Sequence, residues 1–142
     1  MKPSKPEGVT SKSLNAQYTP DFINTIGENE IFVFGSNLEG AHGGGAAWIA
    51  FQKFGAKWGQ GVGLQGNSYG IPTMQGGVET IIPYVEDFIQ FAISRPDLTF
   101  YVTKIGCGIA GFSKEEIAPL FKNAVNVNNI RLPKEFVEII NL

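Results

Sequence analysis

The stretch that decides the fold reads Ile31-Phe32-Val33-Phe34-Gly35-Ser36-Asn37 and continues as Leu38-Glu39-Gly40-Ala41-His42-Gly43-Gly44-Gly45-Ala46-Ala47-Trp48-Ile49-Ala50. Its first four residues are bulky, apolar and partly β-branched, which is typical of a short buried strand. After the three glycines, apolar residues recur at helical spacing until Gly55 ends the pattern. The stretch therefore predicts a strand, a glycine-rich loop and a helix.

A glycine-rich loop before a helix is suited to bind an anion. Backbone N–H groups without a neighbouring Cβ can approach a ligand closely, and the helix N-terminus carries roughly half a positive charge. The spacing here is neither the dinucleotide motif G-x-G-x-x-G nor the triphosphate loop that ends in Gly-Lys-Ser/Thr. The glycines from Gly43 to Gly45 could equally build a tight surface turn, so the run alone leaves both interpretations open.

Composition restricts the class of protein. The chain has 142 residues, of which 43% are hydrophobic and 17% charged, as expected for one globular domain. No apolar run reaches the ~20 residues of a membrane helix, and the first residues lack the apolar segment of a signal peptide. We therefore expect a cytoplasmic protein with no membrane partner.

Charge and soft ligands restrict the partners. The formal net charge is −2 and no block of like charges occurs, so the chain has no electrostatic footprint for nucleic acid. One cysteine and one histidine are too few for a structural zinc site, and we expect neither a metal nor a cofactor.

The rest of the chain alternates helices and strands. Residues 1–19 are polar and predict a flexible lead-in, and residues 20–142 form the single domain. A long glycine-containing loop is expected over residues 55–68, a short strand at or near a sheet edge over 69–73, and a helix over 80–94 capped by Thr80. Residues 20–26 fit either a helical turn or an edge strand.

A second glycine-rich loop follows a second clear strand. Residues 98–105 predict this strand, and the loop is Gly106-Cys107-Gly108-Ile109-Ala110-Gly111-Phe112. Ser113 with Glu116 forms a capping box that opens a helix, in which Pro119 predicts a kink or a short first turn. A last strand is expected near residues 129–132, and residues 133–142 fit a helix or a strand.

This order of elements predicts an α/β sheet covered by helices, with the strands before the two glycine loops parallel. Ligands of such sheets bind at the carboxyl ends of strands, where both glycine loops lie. We therefore expect the two loops to face one pocket.

The two loops resemble those of the macro domain, a family of ADP-ribose-binding modules and ADP-ribosyl hydrolases. Members typically show Val-Asn-Ala-Ala-Asn, a glycine run a few residues later and then a helix. Here Val33 to Asn37 precedes the glycines at the matching spacing, although Phe34 replaces the first Asn. In the later loop, Gly106, Gly108, Gly111 and Phe112 fit the family's Gly-x-Gly-x-x-Gly pattern with its following aromatic residue.

The resemblance implies a three-layer α/β/α fold with a mixed, mostly parallel sheet, and a cleft for ADP-ribose or a related nucleotide, free or attached to a macromolecule. It implies that Asp21 receives the adenine amino group and that the glycine loops hold the diphosphate. Phe112 either stacks on the distal ribose or anchors its loop. The implied ligand-binding residues are Asp21, Gly35, Ser36, Gly43, Gly44, Gly45, Ala46, Gly106, Cys107, Gly108, Ile109, Ala110, Gly111 and Phe112.

The catalytic residues of the hydrolytic members are not matched. An Asp beyond the glycine run and an Asn near the distal ribose are replaced by Ala47 and Phe34, so that mechanism does not transfer. Asn37 and His42 are the candidates for catalysis that remain, with Glu39 as a further possible base, and the alternative for His42 is an exposed or phosphate-binding loop imidazole. Cys107 is interpreted as a packing residue rather than a nucleophile.

Two other functions stay open at this point. The first is a non-enzymatic structural or protein-interaction module whose glycines only shape a tight fold. The second is a metal-dependent phosphoesterase that uses Glu39 and His42. A cleft shared by the two glycine loops favours nucleotide binding over the first alternative.

Overall fold

The structure is a computed structural model that describes residues 5–10 and 12–142. Its elements are β1 (Val9–Thr10), β2 (Ile26–Gly27), β3 (Glu30–Ser36), α1 (Gly45–Lys53), β4 (Gly63–Gln65), β5 (Ser68–Pro72), a 3₁₀ turn (Val78–Thr80), α2 (Ile82–Ser94), β6 (Thr99–Val102), α3 (Lys114–Ile117), a 3₁₀ segment (Ala118–Ala124), β7 (Ile130–Arg131) and α4 (Lys134–Ile140). No helix in the described part of the chain is both long and apolar enough to cross a membrane.

The main sheet has five strands in the order β4-β5-β3-β6-β7. Strand β3 is parallel to both of its neighbours, β6 is parallel to β7, and β4 alone runs antiparallel. This confirms the predicted α/β class and the mixed, mostly parallel sheet. The two strands that precede the glycine loops, β3 and β6, are adjacent and parallel, so both loops leave the same edge of the sheet.

Side chains of β3 alternate between two hydrophobic cores, as the twofold repeat of a strand requires. Ile31 and Val33 pack into the larger core, which contains the buried face of α2 and residues of α3 and α4. Phe32 and Phe34 pack into the other core with Ala47 and Ala50 of α1. Helices therefore cover both faces of the sheet.

Strand β5 is the second strand of the sheet, so it lies near an edge, as the sequence predicts, and β4 forms that edge. Residues 63–65, within the expected long loop, form β4 and pair with residues 68–70. The second glycine-loop strand is also shorter than predicted, because it ends at Val102. The hydroxyl of Thr103 donates to the Val33 carbonyl at 2.7 Å, and the Ile105 N–H donates to the Thr103 carbonyl at 2.7 Å, so the chain turns there.

In the C-terminal part of the chain, the helix signals in the sequence can be compared with the elements of the structure. The capping box is confirmed, since Ser113 Oγ accepts from the Glu116 N–H at 3.1 Å. Pro119 lies where α3 gives way to a 3₁₀ segment. Of the two alternatives for residues 133–142, a helix or a strand, the structure contains a helix, α4.

Thr80 does not cap α2. It lies in the preceding 3₁₀ turn, where its hydroxyl donates to the Gly77 carbonyl at 2.6 Å.

The predicted lead-in, where the structure describes it, contacts the rest of the chain. Strand β1 pairs in parallel with β2, and neither a helical turn nor a strand forms over residues 20–25. The buried Glu30 carboxylate accepts from the N–H groups of Leu14 and Asn15 at 2.6 and 3.2 Å. Residues 1–4 and residue 11 of the lead-in lie outside the described residues.

Candidate functional site

The first glycine loop begins where β3 ends. Ser36 is buried and its hydroxyl donates to the Gly61 carbonyl, which fixes the loop to the segment before β4. The Asn37 side chain then closes a turn on Ala41, since its amide nitrogen donates to the Ala41 carbonyl and its amide oxygen accepts from the Ala41 N–H, both at 2.9 Å. Asn37 therefore shapes the loop that leads to the glycines.

Helix α1 begins without a side-chain cap. Gly44 is the N-cap residue, with extended backbone, and its carbonyl accepts only from Trp48 among the described residues, at 3.3 Å. Gly45 has a φ of +60°, a left-handed conformation that favours glycine. The N–H groups of Gly45, Ala46 and Ala47 have no acceptor in the described part of the chain, which leaves three donors for a ligand.

The second glycine loop is held by its own backbone. The Phe112 N–H donates to the Gly106 carbonyl at 2.8 Å, and the Cys107 N–H donates to the Lys104 carbonyl at 3.2 Å. Within residues 5–10 and 12–142, the N–H groups of Gly108, Ile109 and Ala110 have no acceptor. The loop therefore also leaves three backbone donors unpaired.

Both loops line one cavity of about 400 Å³, which we call the glycine lobe. Its walls are the end of β3, the first turn of α1, residues that follow β5 and β6, and the second glycine loop. They comprise Gly35, Ser36, Asn37, Ala41, Gly44, Gly45, Ala46, Ala47, Thr73, Met74, Thr103, Lys104, Ile105, Gly106, Cys107, Gly108, Ile109 and Ala110.

A second cavity of about 370 Å³, the side lobe, lies beside it. Residues 19–24, part of α1, residues 103–104 after β6, Phe32 and Pro133 form its walls, with Asp21 and the 88% exposed Phe22 among them. The two lobes share Gly45, Ala46, Thr103 and Lys104 as lining residues. Together they form the candidate site, which we call the cleft.

The structure brings most of the expected ligand-binding residues to the cleft. Asn37 and the residues Gly35, Ser36, Gly44, Gly45, Ala46, Gly106, Cys107, Gly108, Ile109 and Ala110 line the glycine lobe, and Asp21 lines the side lobe. Gly43, Gly111 and Phe112 do not line either lobe. Phe112 is half-buried and packs against the larger core, as an anchor of its loop would.

His42 lies behind the first loop rather than in the cleft. Its side chain is fully buried, which contradicts the alternative of an exposed loop imidazole. The Nε2 atom lies 2.8 Å from the Lys57 carbonyl, and the rings of Phe34 and Trp58 lie 5.3 and 6.1 Å away, centroid to centroid. Nδ1 is buried and has no hydrogen-bond partner among the described residues.

Glu39 and Cys107, the other two residues considered for catalysis, differ in their position relative to the cleft. Glu39 is exposed and lines neither lobe. Cys107 lines the glycine lobe and is half-buried, and burial raises the pKa of its thiol above the ordinary value. A raised thiol pKa reduces the thiolate fraction at neutral pH, so Cys107 is a poor nucleophile.

Sequence reasoning missed seven residues that line the glycine lobe: Ala41, Ala47 and Ile105, and the four residues Thr73, Met74, Thr103 and Lys104. All four directly follow strands, at the carboxyl edge where a ligand is expected. The signal was present for Thr73 and Met74, which follow the proline that ends β5. Thr103 and Lys104 were not predicted as site residues because the apolar pattern continues to Ile105 and therefore predicts a strand that includes both of them.

Lys104 belongs to an exposed network of charges. Its Nζ lies 2.9 Å from Glu135 Oε1 and 3.6 Å from Asp21 Oδ1, and Lys114 Nζ lies 2.8 Å from Glu135 Oε2. The two lysines lower the pKa of the Glu135 carboxyl to about 2, with Lys114 the larger cause. The bond to Glu135 in turn raises the pKa of Lys104, so the ammonium is charged at neutral pH.

In the described part of the chain, no three His, Cys, Asp or Glu side chains lie close enough together to hold a metal ion. Comparisons of the chain with protein-family models, with curated proteins and with solved structures gave no match.

Proposed function

We propose that this chain has a macro-domain-like fold and binds ADP-ribose, or a nucleotide diphosphate closely related to it, in the cleft. The diphosphate lies between the first turn of α1 and the second glycine loop. The distal sugar occupies the glycine lobe and the nucleoside occupies the side lobe.

The observation that carries the proposal is that unpaired backbone donors of both glycine loops flank one cavity. Gly45, Ala46 and Ala47 supply three N–H groups on one wall, and Gly108, Ile109 and Ala110 supply three on another. A diphosphate offers several anionic oxygens that such donors can bind, and the N-terminus of the nine-residue helix α1 adds its partial positive charge. A ligand without acceptor atoms would leave these donors unsatisfied.

The side lobe has the chemistry of a nucleobase site. Its lining combines the exposed ring of Phe22 and the apolar side chains of Ile23 and Ile49 with the carboxylate of Asp21. An aromatic ring can stack on a base, and a carboxylate can accept a hydrogen bond from an exocyclic amino group. This supports the role that the family resemblance gives to Asp21.

Binding is the activity that the geometry supports best. Among the described residues that line the glycine lobe there is neither a carboxylate nor an imidazole, and the Asn37 amide already bonds to Ala41. General acid–base catalysis needs a titratable group within hydrogen-bond reach of the reacting atoms. Hydrolysis of an ADP-ribosyl adduct is therefore a secondary proposal, and release of ADP-ribose from a modified peptide tests it.

One observation favours the alternative of a protein-interaction module. Trp48, Phe51 and Trp58 are 40%, 37% and 56% exposed, and the Phe51 ring contacts the rings of both tryptophans. Contiguous exposed aromatic side chains are typical of interaction surfaces. This surface lies outside the lining of the cleft, so both activities can exist in one chain.

Calorimetric titration with ADP-ribose, AMP and ribose 5-phosphate tests the proposal. We expect ADP-ribose to bind with a Kd of about 1–100 µM and each half-ligand to bind at least about tenfold more weakly. Gly108→Asp should abolish binding without unfolding the chain, because a Cβ at Gly108 meets no atom within 4 Å and the carboxylate would repel the diphosphate.

Gly43→Asp is the matched control. Gly43 does not line the cleft, and a Cβ there comes no closer than 4.0 Å to Trp58. This variant should bind ADP-ribose within about threefold of the wild type. Absence of binding by the wild-type protein at millimolar ADP-ribose would overturn the proposed function.

A further inference from the structure

Among the described residues, Lys104 has the one charged side chain that lines both lobes of the cleft, whereas Lys53 lines the side lobe alone. Of the described residues that line the glycine lobe, Lys104 is the one with a charged side chain. It also lines the side lobe, so it stands at the junction of the two lobes together with Gly45 and Ala46 at the N-terminus of α1. Two sources of positive potential therefore meet at this junction, one from a side chain and one from the helix.

Within the described part of the chain, the ammonium of Lys104 is held by one hydrogen bond and retains unpaired N–H donors. Glu135 accepts one of its three N–H donors, at 2.9 Å, while Asp21 at 3.6 Å is an ion-pair partner beyond hydrogen-bond distance. The Lys104 side chain is still 37% exposed. Two donors are thus left for an incoming acceptor, and the fixed bond to Glu135 reduces the side-chain entropy that binding would cost.

We propose that Lys104 determines specificity by binding the phosphate that joins the two arms of the ligand, so that the cleft selects two-armed diphosphates over uncharged nucleosides. This inference rests on the proposed function, because it names the group that recognises the ligand in the same cleft. Backbone amides bind neutral oxygens as well as anionic ones, so they discriminate weakly between a diphosphate and an uncharged nucleoside. The charge of Lys104 supplies this discrimination. Glu135, which accepts from the ammonium at 2.9 Å, acts as its positioning residue.

Lys114 provides a matched control. It binds the other oxygen of Glu135 at 2.8 Å, and its side chain is 43% exposed, close to the 37% of Lys104. It lines neither lobe of the cleft. Removing either charge lowers the net charge of the protein equally, so a difference between the two variants reports position rather than overall potential.

The test is calorimetric titration of the wild type, Lys104→Met, Lys104→Arg and Lys114→Met with ADP-ribose, adenosine and inorganic pyrophosphate, at 50 and 300 mM salt. Lys104→Met should weaken ADP-ribose and pyrophosphate binding about tenfold or more and flatten the salt dependence, while adenosine binding stays unchanged. Lys104→Arg should restore ADP-ribose binding to within about threefold, and Lys114→Met should have an effect below about threefold.

The outcomes separate this inference from the proposed function. If the wild type binds ADP-ribose and Lys104→Met binds it equally tightly, the role of Lys104 is overturned and the proposed function stands. If Lys114→Met weakens binding as much as Lys104→Met, the effect is one of general charge and the assignment to Lys104 is likewise overturned. A wild type that binds neither ADP-ribose nor pyrophosphate overturns both.

Discussion

Ile109 in the second glycine loop reaches Gly44 in the first, since a Cβ built on Gly44 would lie 3.0 Å from Ile109 Cδ1. The same methyl group lies 3.6 Å from the Cβ position of Gly45. Ile109 is nevertheless 73% exposed, so this contact lies at the surface. The two loops therefore approach each other at the lining of the glycine lobe, and we expect Ile109 to cover part of a ligand that binds there.

Shortening this side chain tests whether the contact limits ligand escape. In Ile109→Ala we expect ADP-ribose to dissociate at least about threefold faster, because the cover over the lobe is removed. The free energy of unfolding should change by less than about 0.5 kcal/mol, as is usual for an exposed side chain. Stopped-flow displacement measures the rate and urea unfolding the stability.

Ile93 in α2 is the control for this prediction. It is 52% exposed and lies outside the lining of the cleft, so Ile93→Ala should leave the dissociation rate unchanged. Equal dissociation rates for Ile109→Ala and the wild type would show that the contact does not cover the ligand.

Close backbone contacts explain why particular glycines are required. A Cβ at Gly61 would lie 1.9 Å from the Asn37 carbonyl oxygen, whereas a Cβ at Gly108 meets nothing within 4 Å, and neither residue has a left-handed φ. We expect Gly61→Ala to lower the free energy of unfolding by about 2 kcal/mol or more, and Gly108→Ala by less than about 1 kcal/mol. Similar urea midpoints for the two variants would contradict this packing argument.

Glu30 makes stability depend on acid pH. Burial by itself raises the pKa of its carboxyl, but hydrogen bonds from Leu14, Gly27, Ser13 and Asn15 outweigh burial and place the pKa below its ordinary value of 4.5. The stabilisation is therefore fully present above pH 4.5 and is lost as the pH falls through the lower pKa of the folded state.

Glu30→Gln should lower the free energy of unfolding at pH 7 by about 2–4 kcal/mol, because the amide turns a donor toward N–H groups that need an acceptor. The variant should also lose part of the stability decrease that the wild type shows below pH 4.5. Tyr101→Phe, which removes a donor to Glu30 at 3.1 Å and the acceptor of the Ala16 N–H at 3.0 Å, should cost about 1–2 kcal/mol. Urea unfolding at several pH values measures all three, and identical pH profiles for Glu30→Gln and the wild type would exclude this role.

His42 should behave as a structural residue. His42→Gln keeps an Nε2 donor for the Lys57 carbonyl and should retain ADP-ribose binding within about threefold. His42→Ala leaves a cavity beside Phe34 and should lower the free energy of unfolding by about 2–4 kcal/mol. If hydrolysis of an ADP-ribosylated peptide is detected and His42→Gln abolishes it while the fold is intact, a catalytic role for His42 replaces this account.

The sequence was sufficient for the features that depend on local patterns. The apolar run of β3 with its following glycines, the capping box at Ser113 and the amphipathic repeat of α2 each predicted an element that the structure contains. The signals for these three elements each reside within about 15 residues of chain, where propensity and periodicity act. The alternation of strands and helices also predicted that β3 and β6 are parallel, and the structure adds that they are neighbours.

Features that depend on distant contacts were not predictable. Strand β4 has three residues with glycine at its start, and it forms only because β5 offers a partner. The burial of His42 depends on Lys57 and Trp58 from another loop. Lys104 lies at the site because β6 ends at Val102 and because its ammonium binds Glu135 of α4, which is 31 residues away in the chain.

A ¹H–¹⁵N NMR titration of the wild-type protein with ADP-ribose shows whether both glycine loops bind the ligand. We expect the largest amide shifts at Gly45–Ala47 and Gly108–Ala110, with smaller shifts at residues 21–24 of the side lobe. Amides of residues 126–128, which line a separate cavity, should not move. Absence of shifts at saturating ligand, or shifts confined to residues outside the cleft, would contradict the account.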